Sequence, residues 1–127
     1  MIAQILVADD NVDITDLLKD YLTAKGHRVV IVNDGFQLAQ KAVEFQPHLI
    51  LTDIQMPGAY GSSVYQVLQK DPKTCKIPIL FFSAHSYEKL KPILPVDPKT
   101  RFIQKPVSFP KLDELIQELL PMGGYTP

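Results

Sequence analysis

The sequence predicts an α/β fold in which a single five-stranded parallel sheet is covered by helices on both faces, and three observations carry that expectation. Five short runs, Ile2–Ala8, Val29–Val32, Leu49–Thr52, Ile79–Phe82 and Phe102–Gln104, are rich in Ile, Leu, Val and Phe and show no apolar-polar alternation, as strands buried on both faces require. The segments between them carry helical periodicity, so strand and helix alternate along the chain. Four of the five runs end on chemically active residues: Asp9 and Asp10, Asp53, Ser83 and Lys105. In a parallel sheet these endings share the carboxyl edge, where the ligand crevices of open α/β sheets form.

The helices follow from spacing and caps. After Asp10, residues Ile14, Leu17, Leu18, Tyr21 and Leu22 fall on one helical face, and Gly26 is placed to cap the end. Phe36, Leu38, Ala39, Ala42 and Val43 form the stripe of a second helix, which must stop before Pro47. A third runs from about Ser62 to Gln69 with Val64, Val67 and Leu68 inward, closed by Asp71-Pro72. The last is capped by Ser108, takes Pro110 in its first turn and buries Leu112, Leu115, Ile116, Leu119 and Leu120.

Composition narrows the class. The chain has 127 residues, enough for one hydrophobic core, and its 46% hydrophobic and 21% charged residues are those of a globular domain. With 13 basic and 14 acidic residues it advertises neither a nucleic-acid nor a membrane surface. No apolar run approaches the roughly 18 residues of a membrane span, and the apolar start Met1–Ala8 lacks the basic flank of a signal peptide. The single Cys75 reads as a passive loop residue suited to a reducing compartment, which points to the cytoplasm. His27 and His48 precede strands and read as exposed turn residues; Tyr60 reads as a loop aromatic. The Lys-rich segments Lys70–Lys76 and Lys89–Lys99 read as solvated loops.

Three carboxylates gathered at one strand edge repel one another, more strongly in a crevice poor in water than in bulk. A divalent cation relieves that repulsion. An all-oxygen ligand set with room for water and phosphate suits Mg2+ rather than zinc, which prefers His and Cys. With metal present an aspartate can act as nucleophile toward a phosphoryl donor, while a lysine and a serine hydroxyl bind the phosphoryl oxygens. Taken singly, an Asp-Asp pair also reads as a helix-capping turn, a strand-end Lys as a solvated charge and a strand-end Ser as a turn residue.

Together these features closely resemble the receiver domain of two-component response regulators, a CheY-like, flavodoxin-like fold. The match is carried by Asp9-Asp10 in Leu6-Val7-Ala8-Asp9-Asp10-Asn11, by Asp53-Ile54-Gln55-Met56-Pro57-Gly58 with a further Gly61, by Ser83-Ala84 and by Lys105-Pro106, at spacings that also fit the family. The resemblance implies strand order 2-1-3-4-5, a receiver domain over residues 1–121 and a tail over 122–127. It implies that Asp53 is the phosphoacceptor, Asp10 a direct Mg2+ ligand and Asp9 a ligand mostly through water, with Asp53 itself and the Gln55 carbonyl completing the protein's share. Lys105 and Ser83 would bind the phosphoryl oxygens, and Ser83 and Phe102 would form the switch, although a strand Phe also reads simply as core. The Lys105-Pro106 bond is implied to be cis, where sequence alone favours trans.

The implied job is a phosphorylation switch of the single-domain type rather than an enzyme acting on a separate substrate. A sensor histidine kinase or histidine phosphotransfer protein would donate the phosphoryl group, and output would pass to an unidentified protein or onward in a relay, with no nucleic-acid or membrane partner. Gln55 and His85, each two residues beyond a site residue, are candidate modulators of the phosphorylated lifetime. The competing readings are a receiver-like binding module that is never phosphorylated, a phosphohydrolase of the haloacid dehalogenase type, which would want an Asp where Gln55 stands, and a nucleotide-binding module, whose glycine motifs are missing.

One departure from the family stands out. The helix expected between Ser83 and Lys105 meets Pro92, Pro95 and Pro98. Each proline in a helix interior costs about 3 kcal/mol or more. Only Ser86–Lys91 is left to be helical, so the stretch from about Ser86 to Lys99 is expected to be irregular or mobile, with Ile93, Leu94 and Val96 folded back or offered to a partner.

Overall fold

The computed structural model describes residues 2–56 and 59–126, with the backbone alone at 56 and 59–62. The Pro57-Gly58 pair of the phosphoacceptor-loop match lies outside the described residues, as do the side chains of Tyr60 and Ser62. In chain order the elements are β1 Gln4–Ala8, α1 Val12–Ala24, β2 Arg28–Val32, α2 Gly35–Phe45, β3 Leu49–Asp53, the short strands β4 Gln55–Met56 and β5 Ala59–Tyr60, α3 Gly61–Lys70, β6 Ile79–Ser83, α4 Tyr87–Leu90, β7 Thr100–Gln104 and α5 Phe109–Leu119. A 3-10 turn, Leu120–Gly123, follows α5.

Five strands form one parallel sheet in the order β2-β1-β3-β6-β7, which is 2-1-3-4-5 when only these strands are counted. The order and the parallel pairing are those the sequence and its resemblance predict. β4 and β5 make a separate two-stranded antiparallel ribbon after Asp53.

Each face of the sheet has its own core. Ile5, Val7, Leu51, Leu80 and Phe82 pack against Leu18 and Leu22 of α1 and Leu112, Leu115, Ile116 and Leu119 of α5. Alternate residues of the same strands, Leu6, Ile50, Ile79 and Phe81, pack against Leu38 and Ala42 of α2 and Val64 and Leu68 of α3. Full burial of one Leu, Ile or Phe side chain is worth about 1.5–3 kcal/mol, so the sheet is held from both sides.

Several sequence expectations need correction. Leu17, Phe36 and Val67 are exposed, at 56%, 75% and 56%. Leu17 and Val67 lie one position from Leu18 and Leu68, which already face the sheet, and Phe36, two positions before Leu38, projects to roughly the opposite side of its helix. Phe36 and Val67 instead flank an open apolar groove of about 550 Å³ between α2 and α3. His27 and His48 are half-buried rather than exposed turn residues: their Nδ1 atoms accept from the backbone N–H groups of Ala3, at 3.0 Å, and Gln4, at 2.9 Å. Within residues 122–127, the Tyr125 ring lies 4.6 Å from that of His48, and its hydroxyl donates to the Ile2 carbonyl.

The proline-rich stretch behaves as the sequence demands. α4 is four residues long, capped by the Ser86 hydroxyl, and is followed by a turn at Lys91–Ile93 and irregular backbone as far as Asp97. Leu90 is buried and Leu94 packs on the core, whereas Ile93 and Val96 are exposed. The Asp97 carboxylate, set between the Tyr65 hydroxyl of α3 and the Lys99 ammonium at 2.6 Å, ties the end of this irregular segment to the body of the fold.

Candidate functional site

The sheet register brings the four chemically active strand ends together. Asp9 and Asp10 directly follow β1, Asp53 ends β3, Ser83 ends β6 and Lys105 directly follows β7. Ala8 pairs with Thr52, Asp53 with Phe82, and Ser83 with Gln104, so these ends lie level along one edge.

Asp9 is fully buried, Asp53 is 7% exposed, and Asp10 is exposed. One carboxylate oxygen from each lies within 4.8 Å of the other two. Asp9 Oδ1 accepts from the Asn11 N–H at 3.0 Å, and Asp53 Oδ1 from the Gln55 N–H at 2.9 Å. The remaining oxygens, Oδ2 of Asp9 and Oδ2 of Asp53, both accept from Lys105 Nζ at 2.8 Å. Burial alone would lower the Lys105 pKa, but the hydrogen bonds to Asp53 and Asp9 outweigh it and hold the ammonium above its ordinary value. Asp10 is the odd carboxylate: its hydrogen bond with Asp9, followed by desolvation and the Asp9 charge, raises its pKa.

Ser83 is 2% exposed, and its Oγ accepts from the His85 N–H at 3.1 Å. Its carbonyl accepts from the Lys105 N–H at 2.8 Å, which joins the hydroxyl and ammonium positions through backbone. The Lys105-Pro106 bond is cis. His85 is half-buried at the rim, with Nδ1 3.4 Å from Lys89 Nζ. Phe102 is half-buried and lies farther down β7, its ring 6.0 Å from that of Tyr87. Both aromatics line a groove of about 480 Å³ with Leu94, Val96, Lys91 and Arg101, left open where α4 is short.

The residues singled out from sequence thus converge, with Phe102 apart from the acids. Two participants were not read from sequence: Asn33 Nδ2 donates to the Asp9 carbonyl at 3.2 Å, and the Phe82 ring lies 5.1 Å from Lys105 Nζ. Asn33 carried a signal, since it directly follows the second strand; Phe82 read only as core.

The oxygen-only set fits Mg2+. Adjacent and opposite oxygens of an octahedral shell are about 3.0 and about 4.2 Å apart when metal–oxygen distances are near 2.1 Å. Shifts of under about 1 Å would therefore bring the three aspartates into one shell, with positions left for water and phosphate.

Comparison with known proteins agrees with this geometry. Residues 5–117 match the family model of the response regulator receiver domain. The chain is 28% identical over 120 residues to the polar-differentiation response regulator DivK of Brucella ovis, covering 94% of this chain and 98% of that one. It is 37% identical over 81 residues to the DNA-binding dual master transcriptional regulator RpaA of Synechocystis, a match spanning 64% of this chain and 34% of that regulator. Among solved structures, the receiver domain of sensor histidine kinase PA1611 from Pseudomonas aeruginosa, with magnesium coordinated in its active-site cleft, superposes with a TM-score of 0.85 at 21% identity, covering 95% of this chain and 99% of that one. The chemotaxis response regulator CheY4 of Vibrio cholerae does so with a TM-score of 0.80 at 23% identity, covering 94% and 99%. With the family model spanning nearly the whole sheet and the acids, hydroxyl and lysine standing at the expected strand ends, this chain belongs to the response regulator receiver domain family.

Proposed function

We propose that this receiver domain is a phosphoacceptor switch that takes a phosphoryl group on Asp53 from a phosphohistidine of a sensor kinase or phosphotransfer protein. The observation that carries this reading is Lys105 Nζ, 2.8 Å from Oδ2 of both Asp9 and Asp53. An ammonium so placed can follow a phosphoryl group onto Asp53 with little movement. An Asp53 carboxylate oxygen would attack phosphorus as the phosphorus–nitrogen bond breaks and the imidazole departs. Mg2+ held by Asp9, Asp10, Asp53 and the Gln55 carbonyl would neutralise phosphate oxygens, as magnesium does in phosphoryl transfer generally.

The product adds about −1.5 to −2 charges beside Lys105 and Ser83. Lys105 would exchange a carboxylate for a phosphoryl oxygen, and the Ser83 hydroxyl would turn from the His85 N–H toward the same group. Movement of Ser83 would carry into His85 and Tyr87, and so to the groove containing Phe102, where an output protein would read it. Phosphorylation and hydrolysis would both take place on the chain's own Asp53, with no separate substrate turned over, and the setting would be the cytoplasm, where the free Cys75 stays reduced.

Intact-mass measurement after incubation with Mg2+ and acetyl phosphate tests this reading. One added phosphate is expected in the wild type and none in Asp53→Asn. An unmodified wild type would favour the phosphorylation-independent binding module. His85, beside Ser83 and linked to Lys89, would influence the attacking water: His85→Ala should change the dephosphorylation half-life at unchanged Mg2+ affinity, and equal half-lives would remove it from that role.

A further inference from the structure

We infer that Phe82 is a positioning residue for Lys105, an inference that rests on the phosphoacceptor reading for its functional consequence but not for its geometry. The Phe82 ring is 1% exposed, and Lys105 Nζ lies over it at 5.1 Å from the centroid, inside the range of a cation–π contact. Backbone fixes the ring there. Phe82 pairs with Asp53 across β3 and β6, its carbonyl accepts from the Ile54 N–H at 3.2 Å, and the next residue's carbonyl accepts from the Lys105 N–H at 2.8 Å. Phe82 therefore lies on the strand between the one that ends in the acceptor and the one that leads into the lysine.

The ring does what neither carboxylate can. Asp9 and Asp53 hold the ammonium through hydrogen bonds that must be exchanged when a phosphoryl group arrives. The aromatic face attracts the same charge without taking a hydrogen bond and without adding a negative charge to a crowded acidic site. Throughout the exchange the ammonium remains over the ring, with its donors free to move from carboxylate to phosphoryl oxygen. An aliphatic residue would fill the space but would not attract the cation.

The test is a series at position 82: Phe, 4-fluorophenylalanine, 3,4,5-trifluorophenylalanine and Phe82→Leu. Fluorination weakens the negative ring face with little change of shape. In metal-free, unphosphorylated protein the Lys105 ε-methylene protons should be shifted upfield by the ring. That shift should diminish through the fluorinated proteins and vanish in Phe82→Leu. With Mg2+ and acetyl phosphate, the phosphorylation rate of Asp53 should fall in the same order, about three- to tenfold at trifluorophenylalanine. In a Lys105→Met background the rate should be insensitive to the series. An unshifted Lys105 in the wild type, a shift indifferent to fluorination, or a rate that falls equally in Lys105→Met would overturn the inference. If the wild type accepts no phosphoryl group, the phosphoacceptor reading fails, and the proton shifts still decide whether Phe82 holds Lys105.

Discussion

Lys105 Nζ lies 2.8 Å from Oδ2 of Asp53, so the cation needed by a phosphorylated Asp53 is already seated on its carboxylate. The same ammonium serves Asp9 at 2.8 Å. One positive charge thus compensates the two buried acids, and Asp10, the exposed third, is left facing their remaining negative charge.

Replacing Asp10 by Asn should stabilise the metal-free protein at neutral pH and abolish tight Mg2+ binding. Because its contact with Asp9 raises the Asp10 pKa, the folded state holds its proton more tightly than the unfolded state. That contribution is present in acid and is lost as pH rises from the unfolded value through the folded one. Asp10→Asn should therefore lose less stability than wild type across that interval. Urea midpoints without metal, paired with Mg2+ titration calorimetry, check both halves; wild-type metal affinity in the variant would overturn the ligand assignment.

His27 should make the base of the sheet sensitive to acid. Desolvation lowers its pKa against the opposing pull of Asp113. Its Nδ1 can accept the Ala3 N–H only while unprotonated. The stability it contributes is complete above the unfolded value near 6.5 and is lost as pH falls from there through the lowered folded value. In His27→Asn an amide oxygen can take the place of Nδ1, so the drop in urea midpoint between neutral pH and mild acid should shrink. Equal drops in the two proteins would show that this histidine is not titrating against the fold.

The Tyr65–Asp97 pair should make itself visible in alkali. Burial, then the hydrogen bond to Asp97, pushes the Tyr65 phenol up to about 12. Its contribution is intact below the unfolded value near 10 and disappears as pH rises through the folded one. Subtracting the tyrosinate absorbance titration of Tyr65→Phe from that of wild type should leave a component with its midpoint well above 10, and the variant should lose about 1 kcal/mol at neutral pH. A midpoint near 10 would mean the phenol is free.

What could be read from sequence was set by local physics. Strand ends were legible because Asp9, Asp53, Ser83 and Lys105 each close an apolar run, and a parallel sheet must line such ends up. The short α4 was legible because proline acts on the backbone wherever it stands. Helix faces were legible to within one position for Leu17 and Val67, which adjoin the buried Leu18 and Leu68, whereas Phe36 at the start of its helix faces away from Leu38. Pairings distant in sequence were not legible. Tyr65 with Asp97, Tyr125 with His48 and Phe82 with Lys105 depend on how packed elements meet, and in sequence each reads as an ordinary aromatic, acid or loop residue.

The chemical location of the transferred group tests the assignment of Asp53 as phosphoacceptor. After reaction with Mg2+ and acetyl phosphate, borohydride reduction converts an aspartyl phosphate to homoserine, and peptide mass mapping then identifies the residue. Homoserine is expected at position 53 in the wild type, and none in Asp53→Asn. Phosphate found instead on Ser83 or His85, or an unmodified Asp53 under conditions in which Mg2+ is bound, would contradict it.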